Sequence, residues 1–117
     1  MINIDDLNKS YKRISNYLVD TPIVSSDSLN KKLNAKVFLK NEVEQLTGSF
    51  KIRGALSALS NLKNQGVKGV VAYSSGNHAQ GVSKAAQIFD MHAIIVMPED
   101  APSNKINKTK ANGAEVV

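Results

Sequence analysis

Two short segments hold most of the residues able to do chemistry. The first reads Thr47-Gly48-Ser49-Phe50-Lys51-Ile52-Arg53-Gly54-Ala55. Ser49 is placed to cap a helix, which puts Lys51 in the first turn. A helix is positive at that end, so an ammonium there breaks a local rule. Positive potential and burial both favour the neutral form of an amine, the form in which a Schiff-base lysine reacts. The second segment reads Ser74-Ser75-Gly76-Asn77-His78-Ala79-Gln80-Gly81. It lies between an apolar run and a helical pattern. Free backbone N–H groups at a helix start make an anion site, and Ser74, Ser75, Asn77 and His78 add side-chain donors. A carboxylate or a phosphate fits such a turn. Taken singly, each segment also suits an ordinary solvated helix start, with Asn77 as its cap and His78 on the surface.

Other readings of these glycines fail. Gly76 and Gly81 have the spacing of a phosphate-binding P-loop, but Val82-Ser83 follows where Lys-Ser/Thr is required. No Gly-x-Gly-x-x-Gly occurs, so there is no dinucleotide fingerprint.

The elements that must position these segments follow from periodicity and breakers. Ile4, Leu7, Tyr11, Ile14 and Leu18 mark one helix face, with Asn3 as cap, Asp5 and Asp6 at the positive end and Thr21-Pro22 as the stop. A short helix is predicted over Ser26 to Leu33 and a strand over Ala35 to Lys40. Ile52, Ala55, Leu56, Leu59 and Leu62 recur at helical spacing up to Gly66. Val67 to Tyr73 reads as a buried strand. A helix faced by Val82, Ala85, Ala86 and Phe89 follows, then a strand over His92 to Met97. A helix from Ser103 to Asn112 comes next, with Gly113 as its cap, and a last strand begins at Ala114. From residue 35 the order is β-α-β-α-β-α-β, which predicts an α/β fold with a parallel sheet and right-handed helical crossovers. Ligands in such sheets sit at the carboxyl ends of strands. The chain stops on apolar Val116-Val117, where a parallel strand normally continues into a covering helix. The expectation is the N-terminal part of a longer protein, the remainder missing.

Composition narrows the class. The chain has 117 residues, 42% hydrophobic and 21% charged, which suits one small globular unit rather than a disordered tail. There is no cysteine, hence no disulfide framework and no thiolate zinc site. Two histidines, His78 and His92, are too few for a histidine metal centre, and no metal is expected. The longest apolar run, Ala93 to Met97, is far short of a membrane span. The first residues carry neither the basic nor the apolar region of a signal peptide, so a cytoplasmic location is expected. The net charge of +5 comes from scattered lysines without interleaved aromatics. That argues for a solvated basic surface and against nucleic acid.

Read together and in order, the two segments resemble the fold-type-II pyridoxal-phosphate enzymes, the tryptophan-synthase-β-like group. Within it the chain is similar to the threonine/serine dehydratase and serine racemase branch. Thr21-Pro22-Ile23, Phe38-Leu39-Lys40-Asn41-Glu42, Val96-Met97-Pro98, Ala101-Pro102, Lys105 and Gly113-Ala114-Glu115-Val116-Val117 extend the likeness over nearly the whole chain. Ile52 after the lysine and His78 after the asparagine look like the dehydratase pattern, not that of cysteine or threonine synthases.

The resemblance implies roles. Lys51 would carry pyridoxal 5'-phosphate as a Schiff base and move the substrate's α-proton, with Phe50 beside the pyridine ring. Asn77 would bond the cofactor's phenolic oxygen. Ser74, Ser75, Asn77 and His78 would hold the substrate carboxylate. Loss of the β-hydroxyl from L-threonine or L-serine would then give a 2-oxo acid and ammonia. A serine at position 75, where many dehydratases have alanine, supports serine racemase as the alternative, its hydroxyl returning a proton to the opposite face. A non-catalytic α/β module binding an anionic metabolite is the alternative of another class. The resemblance also implies that residues 1–50 are a segment of the larger domain and 51–117 the start of the smaller one, in a homo-oligomeric full-length protein. The glycine-rich phosphate loop and the racemases' carboxylate metal site lie downstream, so these 117 residues alone are expected to turn over negligibly.

Overall fold

A computed structural model describes all residues from Met1 to Val117. Helix α1 spans Ile4–Ile14 and opens with a capping box: the Asn3 side chain accepts from the Asp6 N–H, and the Asp6 carboxylate accepts from the Asn3 N–H. It ends earlier than its apolar period predicts. A 3₁₀ turn, Ser15–Tyr17, follows, and the chain then extends. Gln45 is the cause, because its side chain accepts from Val19 N–H and donates to Val19 O, as a strand neighbour does. Of the predicted apolar face, Ile14 is buried while Ile4, Leu7 and Tyr11 stay exposed.

Strand β1 (Ile23–Val24) pairs antiparallel with β2 (Leu39–Lys40), flanking helix α2 (Asp27–Leu33) with Ser26 as its cap. The predicted strand over Ala35 to Lys40 is thus cut to its last two residues, and it does not join the parallel sheet. Side chains satisfy the backbone at Val37 instead: its N–H donates to Asn30 Oδ1 (2.7 Å) and its carbonyl accepts from Ser25 Oγ (2.8 Å). The run therefore has no need of a strand partner there.

Helix α3 (Lys51–Asn64), β3 (Gly69–Tyr73), α4 (Asn77–Ile88), β4 (His92–Val96), α5 (Ser103–Ala111) and β5 (Glu115–Val116) complete the chain. The three strands form a parallel sheet in the order β3-β4-β5, with α4 and α5 as the crossovers. Strand β3 lies at the edge, and nothing covers the face that carries Val71 and Tyr73, so its predicted burial fails there: they are 69% and 72% exposed. Its other face packs inward through Val70 and Ala72.

The core sits between the sheet and α3 and α4. Ile52, Leu56 and Ile95 are wholly buried, with Ala55, Leu59, Val82, Ala85 and Ala86 around them. Small residues on α4 let α3 approach closely. Helices in parallel sheets run against their strands, so α3, α4 and α5 all begin at the edge where β3 and β4 end. That edge carries the candidate site.

Candidate active site

Helix α3 begins at Lys51, with Phe50 at the cap position in helical backbone geometry. Ser49 is therefore not the cap. Its hydroxyl is buried and has no hydrogen-bond partner. Because Phe50 already adopts helical angles, the first N–H groups turn away from Ser49, and Arg53 N–H bonds back to Phe50 O at 3.0 Å. The loop before it turns at Gly48, whose φ of +69° suits glycine. Lys51 stays in the first turn, as read from the sequence.

The Lys51 ammonium lies 5.0 Å from the centre of the Phe50 ring. No carboxylate pairs with it, the chain's ion pairs being Lys40–Asp20, Arg53–Glu42 and His92–Glu115. A groove of about 520 Å³ with mainly apolar walls runs beside it, lined among others by Phe50, Lys51, Ala55, Val71, His78 and Val82. The groove brings Phe50, Lys51 and His78 together. Ser74, Ser75 and Asn77 are outside its lining, on the turn that leads to His78.

That turn leaves β3 at Tyr73. Gly76 holds the cap position of α4, and Asn77 is its first residue rather than its cap. The capping comes from Ser74, whose Oγ accepts from Gly76 N–H and Ala79 N–H, both at 3.2 Å. Gln80 N–H takes the Gly76 carbonyl. The N–H groups of Asn77 and His78 belong to the first turn and have no intrahelical acceptor. Ser75, Asn77 and His78 are exposed.

Three contributors to this arrangement were not read from the sequence. Glu42 clamps the start of α3: Arg53 Nε and Nη2 donate to its two carboxylate oxygens at 2.8 and 2.7 Å, and Thr21 Oγ1 donates at 2.6 Å. The Arg53 hydrogen bonds, helped by Thr21 and by the charges of Arg53 and Lys40, pull the Glu42 carboxyl down to about 2 against the opposing effect of burial. Gly81 is the second: α4 passes so close to the start of α3 that glycine alone fits without displacement. The third is Lys105 on α5, which donates to Asn77 Oδ1 at 3.1 Å. All three had a signal, as parts of the motif matches, and none carried a role.

An exposed, uncompensated lysine amine beside an apolar groove, next to a turn that offers hydrogen-bond donors, can receive an aldehyde-bearing aromatic ligand together with an acid group. These residues fit pyridoxal phosphate: an amine to join its aldehyde, apolar walls for its ring and donors for its oxygen. The comparisons agree. Residues 14–117 match the family model described as pyridoxal-phosphate dependent enzyme, and the chain belongs to that family.

The chain is 48% identical over 113 residues to L-threo-3-hydroxyaspartate ammonia-lyase of a Pseudomonas species, covering 96% of the chain and 35% of that protein. It is 45% identical over 118 residues to L-threonine ammonia-lyase of Thermotoga maritima, covering 100% of the chain and 29% of the relative. The crystal structure of serine racemase from Dictyostelium discoideum superposes with a TM-score of 0.93 at 38% identity, covering 99% of this chain and 38% of that one. The chain thus spans about a third of the length of the relatives it matches.

Proposed function

We propose that the protein carrying this chain is a pyridoxal-phosphate-dependent ammonia-lyase that converts L-threonine or L-serine to a 2-oxo acid and ammonia. The observation that carries the reading is the placement of Lys51 and His78 on one groove, with the donor turn Ser74–His78 at its end. When bound, pyridoxal phosphate supplies an electron sink for the carbanion left by the α-proton. The chain's residues do the rest. Lys51 Nζ takes the α-proton, being the one amine in the groove. The turn grips the carboxylate through N–H and side-chain donors and fixes which bond faces Lys51. Phe50, 59% exposed beside the amine, would pack against the cofactor's ring. Asn77 would hold the cofactor's phenolic oxygen through Nδ2.

The division at residue 50 into parts of a larger and a smaller domain belongs to this reading. It is supported by two separate sheets falling on either side of that residue. A cytoplasmic, homo-oligomeric full-length enzyme is part of the same proposal.

A second reading, serine racemase, is favoured by Ser75, whose hydroxyl is exposed on the turn. The test uses the full-length protein. Borohydride treatment should fix the cofactor on the peptide containing Lys51, with loss in Lys51→Ala, and L-threonine should yield 2-oxobutanoate. Release of D-serine from L-serine without keto acid selects the racemase. Anion binding with no adduct at Lys51 selects a non-catalytic module and overturns both.

A further inference from the structure

Lys105 stands where a cation is electrostatically misplaced, in the first turn of α5, while Lys108 and Lys110 occupy the favourable last turn. It is half-buried, and no carboxylate pairs with it. The one hydrogen bond of its side chain crosses to the preceding helix, α4, Nζ donating to Asn77 Oδ1 at 3.1 Å. Ser74 shows the complementary pattern: its Oγ accepts from two backbone N–H groups, leaving its own proton to donate. The side-chain oxygens of Ser74 and Asn77 thus each accept from donors of the protein itself. What these residues present outward is the Ser74 O–H and the two Asn77 Nδ2 protons, beside the free N–H groups of the first turn of α4.

We infer that Lys105 is a positioning residue that holds the Asn77 carboxamide with its oxygen toward α5, so that Asn77 presents its Nδ2 donors to a ligand. An unrestrained carboxamide can present either its oxygen or its nitrogen to a ligand. The ammonium removes that choice, because it can only donate. Asn77 then favours carboxylate or phenolate oxygens over ligand groups that must donate, such as an amide N–H or an ammonium. The inference rests on the proposed cofactor site for its functional consequence, but not for its geometry.

A double-mutant cycle in the full-length protein tests it. Lys105→Met should weaken pyridoxal-phosphate affinity, read by fluorescence titration, about five- to tenfold. Lys105→Arg should restore most of it. In an Asn77→Ala background, Lys105→Met should cost nothing more. An equal loss in that background shows that Lys105 acts on the ligand directly and overturns the inference, as does an unchanged affinity in the single variant. A crystal structure of Lys105→Met supplies a readout that needs no cofactor. Asn77 Oδ1 should leave its present place or flip. If the amide stays put, the inference fails whatever the protein binds. If it moves in a protein that never binds the cofactor, the positioning role holds and the proposed function fails.

Discussion

Gly81 on α4 touches the backbone of Lys51 on α3. A Cβ built on Gly81 would stand 3.2 Å from both the carbonyl carbon and the carbonyl oxygen of Lys51, and 3.3 Å from Ile52 N. The neighbour is main chain at a helix start, not a flexible side-chain tip. The contact therefore limits how closely the backbone of Lys51 can approach α4. It also explains a glycine inside a helix, a position that ordinarily costs about 1 kcal/mol relative to alanine.

Gly81→Ala should improve the propensity of α4 and push Lys51 outward by a few tenths of an ångström. Thermal stability should stay within about 1 kcal/mol of the parent, while kcat/KM of the full-length enzyme falls about tenfold. Unchanged turnover in a normally stable variant would show that Lys51 tolerates the shift.

Glu42 gives a pH prediction with a definite sign. Its carboxyl is held at about 2 in the folded chain, below the ordinary 4.5. A depressed acid stabilises the fold fully above its unfolded value, and the contribution disappears as pH falls from about 4.5 toward 2. The pair keeps some solvent contact, so Glu42→Gln should cost about 1–2 kcal/mol at neutral pH. Denaturant melts of the two proteins should draw together below pH 4.5 and converge near pH 2. Parallel stability curves down to that pH would rule the clamp out.

Ser75 separates elimination from racemisation. If its hydroxyl returns the proton, Ser75→Ala should lower D-serine formation at least tenfold and leave keto-acid formation within about threefold. Chiral chromatography beside a keto-acid assay reads both. An equal loss of the two activities assigns Ser75 to carboxylate binding alone.

Leu56 is wholly buried between α3 and the sheet. Leu56→Ala should cost about 2–5 kcal/mol, measured by urea denaturation, through lost burial and the cavity left behind. A cost below 1 kcal/mol would mean that this part of the core can collapse around the gap.

Local chemistry made much of this legible from the residues alone. Asn3 with Asp6, Ser26, and the closing glycines Gly66 and Gly113 mark helix ends within a few positions of themselves, because capping and positive φ are short-range effects. The spacing of Ile52, Ala55, Leu56 and Leu59 reveals a buried face, and the order of segments reveals a parallel sheet. The motifs located Lys51 and the Ser74–His78 turn, since both sit at helix starts that sequence patterns mark. Contacts between distant residues carry no such local sign. Gln45 ends α1 by gripping Val19, 26 positions away. Asn30 and Ser25 deny Val37 a strand partner. Lys105 reaches Asn77 across 28 positions, and Gly81 meets the backbone of Lys51. The last two approaches depend on how α3, α4 and α5 pack at one edge of the sheet. Only the folded chain decides them, because packing distance is a property of helix pairs and not of any one segment's residues.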